Sequence, residues 1–323
     1  MKAIRSLLNF LWPGIDIILS PIAWLSCLFL LKVRDRFDRL KLCKNAMLIA
    51  GVFPIRNHYS EPFPILDAKF LKHDLKKDRF LPGIDFNIEE QRSILRKFNF
   101  NEELLGIPIH RSNNLQFFYH NGLFVAGDAE YLYNIIRLYK PRKIIEIGSG
   151  YSTMMAIKAI EQNKLESQNY VCKHICIEPF ENEWLKKLNV EVRRKPVEHL
   201  EKDIFESLAA SDILFIDSSH IIRIQGDVLF EYLEILPLLK KGVLVHLHDI
   251  FTPNDYPDHW VTEPRFYNEQ YLFEAFLTFN TQYKVIGALN YLKHNLFDEL
   301  SSKCPILGLE PDAEPGSFWM IKT

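Results

Sequence analysis

A chain of 323 residues that is 48% apolar and 25% charged has enough apolar content for one large or two modest cored domains, which excludes wholesale disorder. Its 39 lysines and arginines nearly balance 41 aspartates and glutamates, leaving a net charge of −2 and no electrostatic case for a nucleic-acid partner. The five cysteines (Cys27, Cys43, Cys172, Cys176 and Cys304) are odd in number and scattered. Cys172 and Cys176 have no second pair to complete a zinc site, so reduced, buried thiols are expected, in keeping with a cytoplasmic setting.

Residues 1–40 form a hydrophobic amino-terminal segment. After Lys2 and Arg5 comes "LLNFLWPGIDIILSPIAWLSCLFLLK", in which residues 15–31 are almost all apolar, interrupted by Asp16 and Ser20-Pro21. A spanning helix takes about 17–25 such residues, so three arrangements stay open: a single span, an interfacial hairpin bent at Pro13-Gly14 and Pro21, or a buried helical arm. Membrane association through residues 7–31 is the expectation. No small-x-small site follows the apolar run, which argues against a cleaved signal peptide. Lys32, Arg34, Arg36, Arg39 and Lys41 outweigh the two charges before the run, which places the rest of the chain on the cytoplasmic face.

Residues 41–120 read as an extension packed on the main domain. Proline-rich and aromatic stretches ("GVFPIRNHYSEPFP", "RFLPGIDF") surround one clear helix, "NIEEQRSILRKF", with Asn87 at the N-cap and glutamates in its first turn. From residue 121 to 323 strands and helices alternate. In order they are the helix "GDAEYLYNIIRLY" capped by Asp128, the strand "RKIIEIG", the helix "YSTMMAIKAIEQ" and the strand "KHICIEP". The short helix "NEWLKKL", the edge-like strand "VEVRRK", the helix "VEHLEKDIFESL" and the strand "DILFID" follow. Next come the helix "VLFEYLEILPLL", the strand "GVLVHLHD", the helix "NEQYLFEAFLTFN" and the strands "YKVIGAL" and "SFWMIK", with "CPILGLEPDAEPG" between the last two. This spacing predicts an α/β fold: a Rossmann-like, seven-stranded, mostly parallel sheet with helices on both faces and a late hairpin-like pair at one edge. The apolar amino-terminal helical segment is an extension to it.

The stretch "KIIEIGSGYSTMMA" puts an acid and two glycines where the first strand turns into a helix. Ligands of open parallel sheets sit at the carboxyl ends of the strands, and glycine there permits a sharp turn and a close approach. A dinucleotide loop prefers a third glycine where this chain has Thr153, and a carboxylate at Glu146 opposes a diphosphate. It suits a ligand carrying an ammonium and a sulfonium. Glu178 ends the second strand, where a carboxylate is placed to accept both hydroxyl protons of a ribose. Asp217 ends the fourth strand and "HLHD" the fifth, so acids or histidines close four strands on one edge. Unpaired buried acids cost several kcal/mol each, so a merely structural sheet has no use for that row.

On "EIGSGYS", "IEP", "FIDSSH", "GVLVHLHDIF" and the late strand pair, residues 121–323 resemble the class I S-adenosylmethionine-dependent methyltransferases. Within them the chain is most similar to the small-molecule O-methyltransferase branch that holds macrocin-type and catechol-type enzymes. The resemblance implies an enzyme that binds S-adenosyl-L-methionine through Glu146, Gly148, Gly150, Tyr151, Ser152, Glu178 and Asp217, with Glu178 on the ribose. It also implies a divalent metal, Mg²⁺ or another, on Asp217 and Asp249 with His248 as third ligand. His220 stands three residues after the strand-four acid, where catechol-type enzymes place a basic lysine, and as a neutral imidazole it would deprotonate the acceptor beside Asp217. Histidines at 246 and 248 depart from the all-oxygen Mg²⁺ site and leave Mn²⁺, Fe²⁺, Zn²⁺ or no metal open. His246 itself reads as a core histidine.

Tyr256, Trp260, Phe266 and Tyr267, in the long segment after the fifth strand, are candidates for a lid over a small-molecule acceptor, or simply for a self-packed surface loop. The expected activity is O-methylation of a small hydroxylated metabolite such as a sugar or a lipid-linked compound. The alternatives are a cofactor-binding scaffold of the same fold and, with less support from Thr153 and Glu146, an NAD(P)-dependent oxidoreductase.

Overall fold

The computed structural model describes residues 2–56, 58, 60, 61, 71–180, 182–262 and 265–323, with backbone alone at 2–10 and 262. The chain divides into two compact units, one made of Met1–Lys72 with Val261–Phe266, the other of His73–Trp260 with Tyr267–Thr323. The division falls inside the 41–120 segment.

In the first unit, Lys2–Arg34 is one continuous helix that runs through Pro13 and Pro21. The hairpin is therefore not formed. Neither is the buried arm, since no side chain from Leu11 to Leu30 is buried. The 24 residues Leu11–Arg34 are long and apolar enough to cross a membrane. A second helix, Lys41–Ile49, buries Met47 and leaves Leu42 and Ile49 in solvent. Cys27 and Cys43 are exposed and Cys172 is half-buried, which corrects the expectation of five buried thiols. Positions 57, 59 and 62–64 of the proline-rich stretch lie outside the described residues.

The second unit is built on one sheet of seven strands: β1 (Lys143–Ile147), β2 (Lys173–Ile177), β3 (Glu191–Arg193), β4 (Ile213–Ile216), β5 (Leu244–Leu247), β6 (Tyr283–Ala288) and β7 (Phe318–Lys322). Their spatial order is β3-β2-β1-β4-β5-β7-β6. The first five run parallel, and β7 is antiparallel to both β5 and β6. The Rossmann-like class expected from the sequence is thus present, with one refinement. β6 and β7 are no hairpin, because residues 289–317 between them carry three short helices and β7 slots inside β6.

The central strands are apolar on both faces because both are covered. Ile144, Ile213, Phe215 and Leu244 point into a core shared with helices Ile88–Lys97, Asp128–Tyr139 and Tyr151–Glu166. Ile145, Ile147, Leu214, Ile216 and Val245 point the other way, onto Phe205, Val228, Ile235 and Phe273. Two predicted helices on that second face are broken. The chain becomes extended at Leu200 (φ −95°, ψ 150°), which divides "VEHLEKDIFESL" and lets both Val197 and Phe205 reach the sheet. The segment "VLFEYLEILPLL" starts α-helical, widens to a π turn over Glu231–Ile235, then tightens at Pro237, which has no N–H to continue the ladder.

Two expected caps are also corrected. Asn87 takes the cap position with φ 52°, but its amide donates to the Val285 carbonyl (3.1 Å) and not to its own helix end. Gly127 occupies the cap expected of Asp128, and the buried Asp128 carboxylate accepts from the backbone N–H groups of Gly316 (3.2 Å) and Ser317 (2.7 Å). Glu130 closes that helix start by accepting from Gly127, and it also accepts from Ile306 and Leu307. Two acids therefore fasten the connection before β7, a long-range job that outbids local capping.

Candidate active site

Strand register decides what meets at the carboxyl edge of the sheet. Ile147 of β1 pairs with Ile177 of β2 and Ile216 of β4, and Ile216 pairs with Leu247 of β5. Each following residue continues the ladder by one bond: Gly148 N–H to Ile177 O (3.0 Å), Asp217 N–H to Ile147 O (2.9 Å) and His248 N–H to Ile216 O (2.9 Å). Glu178 N–H bonds Arg193 O of β3 at 3.1 Å. Gly148, Glu178, Asp217 and His248 therefore stand level on one rim, about 14 Å from end to end at ordinary strand spacing.

The β1–β2 half of the rim is a glycine turn. Gly148 has φ 74°, and a β-carbon there would lie 1.8 Å from the Asp217 carbonyl oxygen, so only glycine fits. Gly150 has nothing within 4 Å of its missing β-carbon and stands at the start of the helix Tyr151–Glu166, leaving open space before that helix end. Room for a ligand thus comes from Gly150, whereas Gly148 makes room for β4. Tyr151 packs edge-on against Phe118 at 5.4 Å. Glu178 is 8% exposed, and its carboxylate accepts from Ser149 N–H (3.2 Å) and Phe180 N–H (3.1 Å), which fixes it beside the turn.

Glu146, expected beside the methionine end of the cofactor, is engaged within the chain. It is 2% exposed, and its carboxylate accepts from Ser152 (2.6 Å), Thr153 (2.7 Å), His174 Nε2 (2.9 Å) and Cys176 (3.5 Å). Four donors of this chain engage it, three of them on Oε2, so it braces the first turn of the following helix against β1 and β2. Ser152 is likewise turned inward to Glu146. The alternation of β1 places residue 146 on the face covered by the helix Tyr151–Glu166, where Ser152 and Thr153 meet it.

The β4–β5 half is an ionic cluster. His220 Nε2 lies 3.2 Å from Asp217 Oδ1 and 3.4 Å from Asp249 Oδ2, while its Nδ1 is 2.8 Å from Glu269 Oε2. His220 and Asp249 both have left-handed backbones (φ 59° and 57°), a conformation that costs a non-glycine residue roughly 1–2 kcal/mol. Such strain persists only where its surroundings enforce it, and it gathers at functional sites. Burial lowers the pKa of His220, but the Asp217 and Glu269 hydrogen bonds and the Asp249 charge more than offset this and raise it well above 6.5. Burial likewise pushes Asp217 up, yet His248 and His220 hold it below the usual value. Three carboxylates around the ring favour its charged form, against the neutral form that a proton-accepting base requires.

That charge state makes a pH prediction. His220 has a folded-state pKa above its unfolded one, so its ion pairs contribute fully below about pH 6.5 and are lost as the pH rises through the folded value. The melting temperature of chelator-treated protein should fall with rising pH in that alkaline window, and His220→Gln should flatten the fall; an unchanged slope would show that His220 is not the titrating group.

Asp217, His220 and Asp249 each bring a ligand atom within 4.8 Å of the others. His248, expected as the third metal ligand, stands outside this group: its Nε2 is 3.6 Å from Asp249 Oδ1 and its ring packs on Phe124 (5.3 Å) and His246 (5.7 Å). His246 is the core residue expected, fully buried, bonded to Ser317 (2.9 Å) and stacked on Phe215 (3.9 Å). Glu269 and Tyr232, whose hydroxyl donates to Glu269 at 3.1 Å, went unnoticed in the sequence. Beside them Tyr256, Trp260 and Tyr267 form one aromatic group with Phe251, and the Tyr267 ring lies 5.0 Å from that of His220. Phe266 belongs to the other unit, and residues 263 and 264 lie outside the described ones.

Residues 145–250 match the family model of a methyltransferase domain. The match opens one residue before Glu146 and closes one after Asp249, so the matched segment contains the whole row of strand ends but not Glu269. An uncharacterized protein of Archaeoglobus fulgidus is 28% identical over 174 residues, 50% of this chain and 75% of that protein. Among solved structures, an O-methyltransferase from Bacillus cereus in complex with SAH is 14% identical with a TM-score of 0.36, over 73% of this chain and 91% of that one. A proposed protein-L-isoaspartate O-methyltransferase from Plasmodium falciparum, in complex with S-adenosyl-L-homocysteine, is 13% identical with a TM-score of 0.26, over 49% and 83%.

Proposed function

We propose that the chain is an S-adenosylmethionine-dependent O-methyltransferase acting on a small hydroxylated metabolite. One observation carries the reading. The methyltransferase segment brings an open glycine turn, an amide-held carboxylate and an acid–histidine cluster onto a single rim of the sheet. The space at Gly150 suits the methionine end of the cofactor, and Glu178 suits its ribose diol, since an ionised carboxylate accepts two hydroxyl protons. The acceptor hydroxyl belongs at the β4–β5 end, beside the aromatic group.

In the reaction the hydroxyl oxygen forms a bond to the methyl carbon as the carbon–sulfur bond breaks. The electron pair stays on sulfur, which becomes a neutral thioether, and the hydroxyl proton leaves. The protein's share is mostly alignment of the two reactants. Asp217, kept ionised by its histidine neighbours, is the group placed to take the proton; His220, already charged, holds Asp217 and Asp249 in place. A divalent metal fits the cluster, because two carboxylates and an imidazole converge there. Asp217, His220 and Asp249 would hold it, a mixed oxygen and nitrogen set better suited to Mn²⁺, Fe²⁺ or Zn²⁺ than to Mg²⁺. Such an ion, when bound, lowers the pKa of a hydroxyl brought to it.

The test is calorimetry with S-adenosylmethionine and S-adenosylhomocysteine, together with mass spectrometry of any nucleoside that copurifies. Glu178→Ala should weaken cofactor binding by ~1–3 kcal/mol, the scale of an orphaned hydrogen-bond set. Unchanged affinity would reject the ribose assignment. Binding without turnover over a broad set of acceptors would favour the scaffold instead. We also propose attachment to the cytoplasmic face of a membrane through residues 7–31, supported by the exposed apolar side chains of the long helix and the basic residues after it. Extraction by carbonate alone would reject this.

A further inference from the structure

The helix Glu269–Leu277 begins beyond the methyltransferase segment, yet its first turn grips both loops that carry the acids of the rim. On the β4 side, the backbone N–H groups of Asn268 and Glu269 both donate to the His220 carbonyl (3.0 and 3.2 Å), and Asn268 Oδ1 accepts from Ile222 N–H (2.7 Å). On the β5 side, Gln270 Oε1 accepts from Phe251 N–H (2.7 Å), and Gln270 N–H donates to the Tyr256 hydroxyl (3.0 Å). Between these clamps Glu269 is 1% exposed, with one carboxylate oxygen on His220 Nδ1 (2.8 Å) and the other on the Tyr232 hydroxyl (3.1 Å). A turn that needed only to cap a helix would not bury a carboxylate, which is costly unless its partners are specific.

We infer that Glu269, steadied by Tyr232, is a positioning residue that fixes the His220 ring so that Nε2 is the atom presented to Asp217 and Asp249. The inference rests on the reading of that cluster as the reactive end of the site. A half-turn of the ring would replace Nδ1 by a carbon against Glu269 and forfeit the bond, so the carboxylate selects one of two ring orientations. It also selects a tautomer. With Nδ1 donating, Nε2 of a neutral ring is the lone-pair atom, the arrangement a metal-binding histidine requires from the group behind it. The left-handed backbone at His220 is held by the same helix turn, through its carbonyl.

The experiment is a Mn²⁺ titration of the full chain followed by electron paramagnetic resonance, on the unsubstituted protein, Glu269→Ala and Glu269→Gln. The spectra are paired with two-bond nitrogen–proton correlations of the His220 ring in metal-free protein labelled only at histidine, recorded on the alkaline side of its titration, where the ring is neutral. Glu269→Ala should weaken Mn²⁺ binding ~10–100-fold. It should also remove the Nδ1-protonated pattern of His220. Glu269→Gln keeps an acceptor oxygen of the same reach and should restore most of both. If Glu269→Ala only lowers the melting temperature, with the metal affinity and ring pattern unmoved, Glu269 is structural and the inference falls. If the unsubstituted protein binds no Mn²⁺, the metal reading fails by itself, and the ring pattern alone then decides for or against Glu269.

Discussion

Alanine at Asp217 should lower methyl transfer by ~10³-fold or more while leaving affinity for S-adenosylmethionine within about threefold, judged against the 10²–10⁴-fold typical of a positioned proton acceptor. Its carboxylate sits at the junction of the rim, one-third exposed, with its backbone N–H on β1 and its side chain on His220. Removal takes away the proton acceptor and one arm of the cluster that would hold a metal. It also leaves His220 with one counter-ion fewer, so that ring should titrate at lower pH in the variant. The β1–β2 half keeps its own supports at Ser149 and Phe180, which is why cofactor affinity should survive. Transfer of a labelled methyl group to a panel of hydroxylated acceptors reads the first quantity and calorimetry the second. Equal loss of both would mean that the variant is misfolded or that Asp217 contacts the cofactor. Activity indifferent to chelators would remove the metal from the proposal and keep the methyl transfer.

Gly148→Ala should be the most damaging single change to stability, at ~4 kcal/mol or more. A methyl group there meets the Asp217 carbonyl oxygen at 1.8 Å and its carbon at 2.9 Å. Both are backbone atoms of the neighbouring strand, so no rotamer change relieves the clash, and the left-handed φ adds about 1–2 kcal/mol. Relief requires β1 and β4 to part where Asp217 N–H bonds Ile147 O. A loss of that size is a large share of the ~5–15 kcal/mol that stabilises an ordinary domain. In a unit of this size it should lower the melting temperature by ~8–16 °C or leave the protein insoluble. Gly150→Ala is the control. No neighbouring atom lies within 4 Å of its missing β-carbon and its φ is not left-handed, so stability should fall far less than at Gly148 while cofactor binding weakens. If the two glycines behaved alike in calorimetric melts, the division of labour within the turn would be wrong.

Much of this was legible because parallel strands and their ends leave local marks. "KIIEI", "KHICI", "ILFI" and "LVHL" are short apolar runs, and the residue that closes each one follows directly in the chain. The row of strand ends at Glu146 and its glycines, Glu178, Asp217 and His248-Asp249 could therefore be placed before any partner was known. Side chains whose partners lie far along the chain could not. Glu269 reads as an ordinary acid in the first turn of a helix, and nothing near it points to His220, 49 residues earlier. Asp128 looks like a cap because its true partners lie 188 and 189 residues further on. The partners of Glu146 were missed for a different reason. Position along a strand was read correctly, but the face was not weighed, and the helix-side face of β1 delivers it to Ser152, Thr153 and His174. The pull toward a charged His220 was not legible locally, because its three carboxylates come from the ends of β4 and β5 and from the helix Glu269–Leu277.

The place of β7 inside β6 bears on how the molecule assembles. Until Phe318–Lys322 has been synthesised, Leu244–Leu247 has β4 available on one side and lacks its native neighbour on the other. The missing neighbour, Phe318–Lys322, must arrive from far downstream, and it alone links β6 to the rest of the sheet. Until then a sticky apolar edge stays open, a template for adhesion between nascent chains. Pairings so distant in sequence close slowly. Chaperone dependence should therefore centre on this late docking, and substitutions in Phe318–Lys322 should show up as poor yield before they show up as poor turnover.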